Sequence, residues 1–366
     1  MYERLSTVEC DNENISIKRG LPKRWYVDKA VFDIERQEIF AKAWICVGHV
    51  CMVEKPGDIF THKVVDQEIL IVRTTKGELK AYYNVCQHRG HRLISQPGNQ
   101  RRMTCPYHAW TYDLDGKLVR APGSENMDFD QTCVQLRGVR LETMCGMIFV
   151  NLDPDAPTVR EVFGEVEKEI LTHKPNVEEQ QLVRDNPFPH ACNWKASVEN
   201  FAECYHCGPV HKYLTDNVID PDSYKVWGDC LVQRHEVKTL GNKGTQIIWH
   251  FWPNTAIGLY PIPDYGMTLC IRHMYPIDVD NAIYWYRWFV DKGSDPTAVL
   301  EYSYLHERTT GAEDGEVAAG VQLGMKSDGF ERAYLFANPK QGSSSEHVIA
   351  YFQDLVRAAV SPRLSE

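Results

Sequence analysis

The chain has 366 residues, of which 43% are hydrophobic, so it can bury a substantial core and is long enough for two domains. Its formal net charge of −10 argues against nucleic acid as a partner, because binding phosphates requires a basic surface. The start lacks the apolar stretch of a secretory leader, and no window approaches the roughly eighteen apolar residues of a membrane span. We therefore expect a cytoplasmic protein whose twelve cysteines are reduced, buried or metal-bound.

The amino-terminal half is predicted to contain one helix followed by short strands. The helix is expected from Val31 to about Lys42, after an extended lead. Two strands at 68–74 and 79–85 flank a Lys76-Gly77 turn, and the 112–119 stretch carries an Asp-Gly hairpin signal. These elements predict an all-β domain over residues 44–152, preceded by a segment, 1–43, that packs on a second domain.

Two cysteines and two histidines lie within this predicted β domain at metal-ligand spacing. Cys86-Gln-His88 is followed by Cys105-Pro-Tyr-His108. Two thiolates with two imidazoles in this order form the ligand set of a Rieske [2Fe–2S] cluster, which transfers single electrons. The same four residues could also hold a structural zinc ion. Short strands that present two metal-binding loops favour the cluster over a ββα zinc finger.

The carboxyl-terminal half is predicted to be an α+β domain over residues 158–366. The sequence 153–157, Asp-Pro-Asp-Ala-Pro, marks its boundary, and Thr158 with Glu161 predicts a capped helix. Long strands are expected at 266–277 and 282–290. Ser343 and Glu346 predict the cap of a final helix that ends before Pro362. Antiparallel strands with a long terminal helix across one face are typical of α+β domains.

A second cluster of possible metal ligands lies in the stretch 193–211. Glu203 and His206 are spaced to share one face of a helix. His206 and His211 would diverge on an unbroken helix, but Gly208-Pro209 lies between them and allows the chain to turn. Two histidines need one carboxylate to complete the facial triad of a non-haem Fe(II) site that reacts with O₂.

These motifs resemble those of one family, the Rieske non-haem iron oxygenases. Residues 86–91 and 105–110 are similar to its two cluster loops, and 193–211 is similar to its mononuclear iron segment. The runs 203–211 and 345–353 are closest to the carnitine monooxygenase group. The resemblance implies a Rieske [2Fe–2S] domain joined to a helix-grip catalytic domain. It also implies the roles of the following residues: Cys86, His88, Cys105 and His108 hold the cluster, and His206 and His211 bind iron.

The resemblance also suggests the remaining residues of the iron site. Most ring-hydroxylating relatives have Asp at the position of Glu203, which implies that Glu203 is a bridging carboxylate and not a ligand. Aligning Val321-Gln322-x-Gly324 with the family pattern places the third ligand at Asp314. Glu313 and Glu316 remain alternatives, because this register depends on a short match.

The resemblance further predicts how electrons reach the iron. No G-x-G-x-x-G nucleotide fingerprint is present, so a separate NAD(P)H-dependent reductase is expected as a partner. In this family the cluster of one subunit serves the iron of the next subunit through the bridging carboxylate. A head-to-tail homotrimer is therefore implied.

The substrate is predicted less sharply. Aromatic side chains concentrate in the second domain and would suit either a quaternary ammonium, through cation–π attraction, or a flat aromatic ring. They are Trp249, Phe251, Trp252, Tyr260, Tyr265, Tyr275, Tyr284, Trp285, Tyr286 and Trp288. The resemblance favours monooxygenation of a betaine or carnitine-like compound, with N-dealkylation or C–N cleavage. A ring-hydroxylating dioxygenase is the alternative enzyme, and a Rieske electron carrier is the alternative from another class.

Overall fold

The computed structural model describes residues 1–364, so the last two residues of the predicted domain 158–366 lie outside the described part. The chain divides into two compact units. One consists of Ala41–Val159, and the other combines Met1–Phe40 with the chain from Arg160 onward. Within the described residues, no helix combines the length and the apolar character that crossing a bilayer would require.

The unit Ala41–Val159 consists of β structure. A seven-stranded antiparallel sheet contains, in spatial order, Ile45–His49, Met147–Asn151, Gly138–Met144, Leu79–Tyr83, Gln67–Arg73, Asp58–Val64 and Gly98–Asn99. A smaller antiparallel sheet contains Met103–Thr104, Thr111–Tyr112 and Leu118–Arg120. Both expected hairpins are present. Gly116 in the second hairpin has φ +84° and a Cβ there would lie 2.7 Å from the Tyr82 ring, so only glycine fits this turn.

The other unit is built on a second seven-stranded antiparallel sheet. Its strands, in spatial order, are Gln180–His190, Ala282–Asp291, Gly266–Pro276, Thr255–Ile262, Thr245–Phe251, Val232–Lys238 and Lys225–Asp229. A separate two-stranded sheet pairs Ser16–Pro22 with Arg332–Ala337. Six of the seven large-sheet strands follow one another as hairpins. Gln180–His190 instead pairs with Ala282–Asp291, the last strand of the sheet in chain order. The helices between Gln180–His190 and Lys225–Asp229 therefore lie in the connection between the two edge strands.

The α-helices lie almost entirely in the unit formed by Met1–Phe40 and the chain from Arg160 onward. The α-helices are Tyr2–Leu5, Arg24–Val27, Lys29–Glu35, Val159–Phe163, Val166–His173, Trp194–Phe201, Cys207–Val210, Lys212–Asn217, Thr297–His306, Ala312–Met325 and His347–Val360. Two π-helical segments, Arg36–Phe40 and Glu307–Gly311, extend the third and ninth of these. Short 3₁₀ turns occur at Val50–Val53, Gln131–Cys133, Pro221–Ser223, Leu240–Asn242, Pro339–Ser344 and Ser361–Arg363.

The terminal helix His347–Val360 packs on the large sheet of its unit. Phe352 is fully buried and its ring lies 5.7 Å from that of Trp252, while Gln233 on a strand donates to the Val348 carbonyl at 3.0 Å. The α+β prediction is confirmed. The predicted cap is wrong: Ser343 lies in a 3₁₀ turn, and Glu346 is the N-cap residue without a side-chain capping bond. The helix predicted after Thr158 is also broken, because Gly164 has φ +64°.

A buried ion pair connects the helix Lys29–Glu35 to the helix Trp194–Phe201. Lys195 and Glu35 are 0% exposed and their charged atoms lie 2.6 Å apart. The Trp194 indole also donates to Glu35, at 2.8 Å, and Asn193 accepts from Lys195 at 2.8 Å. Burial lowers the pKa of Lys195 and raises the pKa of Glu35, and their mutual attraction opposes both shifts. Each charge is therefore tolerated only because the other is present.

Replacing Lys195 with Met should destabilise this unit strongly. The Glu35 carboxylate would remain buried without its counter-charge, which costs about 3–5 kcal/mol. Thermal and denaturant unfolding followed by circular dichroism measures the loss. The double variant Lys195→Met with Glu35→Gln should lose less than the sum of the single variants.

Lys212→Met is the matched control, because it removes an exposed pair with Asp216. Exposed pairs contribute little, so its unfolding transition should stay in place. A Lys195→Met protein as stable as the wild type would show that the buried pair is dispensable.

Candidate metal centres and substrate pocket

The two predicted cluster loops have the same backbone hydrogen-bond pattern. Cys86 N–H donates to the carbonyl of residue 91 at 2.8 Å and Gly90 N–H donates to the Cys86 carbonyl at 3.0 Å. In the second loop, Cys105 N–H donates to the carbonyl of residue 110 at 2.8 Å and Ala109 N–H donates to the Cys105 carbonyl at 3.0 Å. Gly90 and Ala109 both have positive φ. Each loop therefore presents its Cys and its His from the same tight turn.

The side chains of these loops are suited to a two-iron cluster. Cys86 and Cys105 are buried, whereas His88 is exposed. The rings of His88 and His108 lie 4.8 Å apart, and the buried Nδ1 of His108 has no hydrogen-bond partner among the described residues. Two buried sulfurs and a histidine pair with a free ring nitrogen fit a cluster whose imidazole-bound iron lies near the surface.

Tyr112 supports the first loop. Its hydroxyl lies 3.5 Å from the Cys86 sulfur and accepts from the Gln87 N–H at 3.0 Å. Burial raises the pKa of the Cys86 thiol, and the hydrogen bond with Tyr112 acts in the opposite direction. The hydroxyl thus favours the thiolate form that metal binding requires.

The second predicted site is built around a break in the helical chain. The helix Trp194–Phe201 ends before Glu203, which lies in the following turn, and Cys207–Val210 forms the next helical turn. The expectation that Glu203 and His206 share a helix face is therefore wrong, and the chain turns before Gly208-Pro209 instead of at it. Pro209 lies in the first turn of its short helix, where its missing N–H is not needed.

Three side chains converge at this break. The Nε2 atoms of His206 and His211 lie 3.1 Å apart, and the Asp314 Oδ1 atom is 3.0 Å from His211 Nε2 and 3.4 Å from His206 Nε2. All three candidate ligand atoms lie within 4.8 Å of one another. Asp314, the residue that the resemblance suggested as third ligand, lies in the first turn of the helix Ala312–Met325. Two imidazoles and one carboxylate fit a mononuclear iron.

The other nitrogen of each imidazole is held by a glutamate. The Nδ1 atom of His206 contacts the Glu203 carboxylate, which also accepts from the His206 N–H at 3.3 Å. The Nδ1 atom of His211 lies 2.8 Å from the Glu313 carboxylate. Such contacts orient metal-binding histidines and select the ring nitrogen that faces the metal. Glu313, an alternative ligand at the sequence level, therefore lies on the far side of the His211 ring from the convergence point.

The carboxylates control the charge of these histidines. Burial lowers the pKa of His206, but hydrogen bonds with Asp314 and Glu203 outweigh burial and raise this pKa to about 10. The pKa of His211 is shifted in the same direction. Burial acts to raise the pKa of Asp314, whereas its bonds to the two histidines hold it well below its usual range. A metal ion that binds here must displace the ring protons.

Two cysteines flank His206 and are joined to each other. Cys204 and Cys207 form a disulfide with a Cα–Cα distance of 4.9 Å. Both cysteines are buried, which is one of the expected states, but they are oxidised to a disulfide and not reduced. Their spacing places both sulfurs on one side of the turn that carries Tyr205 and His206, so the disulfide closes this turn.

A cavity of about 100 Å³ adjoins the three converging side chains. Of the aromatic residues proposed from the sequence, Tyr260 and Tyr284 line it, whereas most of the others pack in the core. Sequence reasoning missed several lining residues, namely Phe201, Tyr224, His235, Arg272, Tyr302 and His306. A signal for one of them exists: Arg272 is a charged residue within a strand, Gly266–Pro276, that is buried from residue 268 onward.

Comparison with known proteins agrees with this architecture. Residues 43–137 match the Rieske [2Fe-2S] domain, and residues 177–361 match the catalytic domain of the ring hydroxylating alpha subunit. These matches confirm the predicted cluster and mononuclear iron and exclude the zinc alternative.

Similar proteins cover nearly the whole chain. The carnitine monooxygenase oxygenase subunit of Escherichia coli K12 is 33% identical over 351 residues, covering 92% of both chains. The glycine betaine monooxygenase oxygenase subunit of Pseudomonas aeruginosa PAO1 is 33% identical over 217 residues, which cover 57% of this chain and 50% of that protein. The crystal structure of a quaternary ammonium Rieske monooxygenase in complex with L-carnitine superposes with a TM-score of 0.86 at 28% identity, covering 94% of this chain and 96% of the other. The chain belongs to the Rieske non-haem iron oxygenases, as an oxygenase alpha subunit with a [2Fe–2S] domain and a mononuclear iron domain.

Proposed function

We propose that this chain is the terminal oxygenase of a two-component system that inserts one atom of O₂ into a C–H bond beside a quaternary nitrogen. The substrate would be a betaine or carnitine-like compound. The observation that carries the proposal is the convergence of His206, His211 and Asp314 at the wall of an aromatic-lined cavity. The names of the relatives support the substrate class, since they oxidise carnitine or glycine betaine.

The residues that hold the metals follow from the site geometry. Cys86, His88, Cys105 and His108 would bind the [2Fe–2S] cluster, while His206, His211 and Asp314 would bind the iron. When bound, the cluster supplies single electrons and the iron supplies the centre at which O₂ is reduced. Glu203 and Glu313 hold the two iron-binding imidazoles in orientation through their Nδ1 atoms.

The overall reaction balances with one external reductant. One oxygen atom enters the C–H bond and the other leaves as water, which consumes two electrons and two protons. Hydroxylation of a carbon attached to a quaternary nitrogen allows the C–N bond to break, as the hydroxyl loses its proton and becomes a carbonyl while the nitrogen departs as a tertiary amine. A reductase partner must supply the electrons. The rings of Tyr224 and Tyr302 line the cavity and can attract the ammonium group.

The assembly we propose is a head-to-tail homotrimer in which the cluster of one subunit serves the iron of the next. Two surface features support it. His88 is exposed at the tip of its loop, and Glu203 contacts the ring nitrogen of His206 that faces away from Asp314. A carboxylate in this position can accept a further hydrogen bond from a cluster histidine of a neighbouring subunit. Heterologous contacts of this kind close into rings.

The two metal centres should be separable by substitution. Cys86→Ser and His108→Ala should abolish the visible absorption of the Rieske cluster. His206→Ala and Asp314→Ala should keep that absorption but lose the mononuclear iron and all substrate-dependent O₂ consumption, because each removes a ligand. Iron analysis, visible spectroscopy and an oxygen electrode measure the three quantities.

Glu313→Gln is the matched control for Asp314→Ala, because it alters the adjacent acid without removing a ligand. It should keep bound iron with an affinity or activity reduced about 10–100-fold. Glu316→Ala should have no effect. If Asp314→Ala retained iron and activity while Glu313→Ala lost both, the third ligand would be Glu313.

Replacing Glu203 with Gln should block electron transfer while leaving both metals in place. The neutral amide weakens the hydrogen-bonded connection between the cluster histidine and His206. When the reduced variant is mixed with substrate and O₂ in a stopped-flow instrument, its cluster should stay reduced. Glu313→Gln, which alters the other iron histidine, should still reoxidise its cluster.

Two results would contradict this role of Glu203. Reoxidation of the cluster at the wild-type rate would show that electrons do not pass through this carboxylate. Loss of the mononuclear iron from the Glu203→Gln protein would show that Glu203 is required to hold the iron and would leave its role in electron transfer unsupported. A fully active monomer would separately overturn the proposed trimer.

The substrate class is tested by turnover with a reductase. The wild-type protein should couple O₂ consumption to product formation with carnitine, γ-butyrobetaine or glycine betaine, and mass spectrometry should detect the released tertiary amine. Turnover of aromatic acids alone would favour a ring-hydroxylating dioxygenase. Reduction and reoxidation of the cluster without turnover of any substrate would favour an electron carrier.

A further inference from the structure

Arg272 is a buried cation in the wall of the cavity beside the candidate iron site. It lies in the strand Gly266–Pro276 and is 8% exposed. Its guanidinium lies over the rings of Tyr260, Tyr286 and Phe201, at 4.9, 5.3 and 5.9 Å from their centroids. Within residues 1–364, no carboxylate forms an ion pair with Arg272, and its Nε atom has no hydrogen-bond partner.

Other buried arginines of the same sheet do have carboxylate partners. Arg234 makes two hydrogen bonds of 2.7 Å to Glu169, and Arg287 pairs with Asp185 at 3.2 Å. Burying a charge is costly unless a counter-charge compensates it. Cation–π contacts with three rings offset only part of this cost. Arg272 therefore lacks the carboxylate counter-charge that Arg234 and Arg287 have.

The polar groups around Arg272 are neutral and cannot supply the missing negative charge. Burial raises the pKa of Tyr284 and of Cys270 to about 12. Burial lowers the pKa of His235 and His306 to about 3, and the charge of Arg272 adds to this effect. Within the described part of the chain, the cavity wall contains two carboxylates, and both are already engaged: Asp314 is bonded to His206 and His211, and Glu203 is bonded to His206.

Several of these neutral groups also have unused hydrogen-bonding atoms. The Nε2 atom of His306 and the Tyr260 hydroxyl are buried without partners among the described residues, as is the Nε atom of Arg272. All three residues line the same cavity. One permanent positive charge together with unsatisfied polar atoms is the arrangement expected of a site completed by an anionic ligand.

We propose that Arg272 binds a carboxylate of the substrate and so restricts the enzyme to zwitterionic betaines. This inference rests on the proposed function and extends it, because it separates carboxylated substrates from choline-like cations. The carboxylate would pair with the guanidinium. The same positive charge repels the quaternary nitrogen, so the ligand is bound with its ammonium end directed away from Arg272. A substrate without an anionic group would leave Arg272 uncompensated and would be disfavoured.

The test compares carnitine with trimethylammonium compounds that lack its carboxylate. Wild-type holoenzyme with reductase is assayed with carnitine, with carnitinamide, in which a neutral amide replaces the carboxylate, and with choline. Replacing Arg272 with Gln should lower kcat/KM for carnitine by at least about 30-fold, the effect of removing one partner of a buried charge pair. The value for carnitinamide should change by less than about threefold. Arg272→Lys should recover part of the preference for carnitine, because it keeps the charge without the planar fork.

Arg287→Gln is the matched control, since it removes another buried arginine of the same sheet. It should leave the ratio of kcat/KM for carnitine to that for carnitinamide unchanged. Calorimetric binding of carnitine under anaerobic conditions gives a second readout that needs no turnover. Cluster absorption and iron content show whether each variant is intact.

The outcomes separate this inference from the proposed function. If Arg272→Gln lowered carnitine and carnitinamide turnover equally, or if the wild type did not prefer carnitine over carnitinamide, the role of Arg272 would be refuted while quaternary ammonium oxidation stood. The comparison of carnitine with carnitinamide in the wild type needs no variant, so it tests the role of Arg272 even if Arg272→Gln fails to fold. If the wild type oxidised only aromatic carboxylates, and Arg272→Gln abolished their binding, the proposed function would fail and anion binding by Arg272 would stand.

Discussion

The structure of the catalytic unit depends on the contact between Asp314 and two imidazole rings. His206 and His211 lie on either side of one short helical turn. Their Nε2 atoms contact the carboxylate of Asp314, which belongs to a helix more than a hundred residues later in the chain. Two imidazoles and a carboxylate can converge on one point only if other contacts hold each side chain in place. Glu203 and Glu313 do so by taking the remaining ring nitrogens. Glu313 and Asp314 are adjacent in sequence and hold one ring, His211, by both of its nitrogens.

This arrangement explains why the helical chain is broken here. A continuous helix through 194–211 would direct His206 and His211 to different faces, about 140° apart. Ending the helix at Phe201 frees Glu203 to fold back against His206, and the disulfide between Cys204 and Cys207 closes the intervening turn. The following turn then carries His211 into contact. The helix is interrupted over residues 202–206, and this interruption lets the side chains of His206, His211 and Asp314 converge.

The sequence predicted those parts of the site whose residues are close together in the chain or lie in a long motif. The cluster loops are short and nearly self-contained, so their Cys and His spacing, together with the short strands that carry them, indicated the chemistry. The α+β class followed from strand patterns and the final helix. Local capping rules failed at Ser343 because a 3₁₀ turn precedes the helix there. The helix-face argument for Glu203 failed because tertiary convergence outweighed helical continuity. Arg272 was missed because whether a buried arginine has a partner depends on tertiary contacts.

Charge is distributed unevenly around the cavity, and this distribution has a consequence for binding. Near His206 and His211 the protein supplies acids: Asp314 lies at the point of convergence, with Glu203 and Glu313 behind the rings. Elsewhere in the same cavity wall the protein supplies a permanent positive charge, Arg272, among neutral tyrosines and histidines. A bound Fe(II) offsets much of the negative charge near the histidines. A zwitterion would then be oriented chiefly by its carboxylate, while aromatic faces accept its ammonium group without a formal counter-charge. With carboxylate binding by Arg272 as proposed, recognition of the anion would set which carbon is presented for oxidation, and the aromatic rings would set how firmly the other end is held.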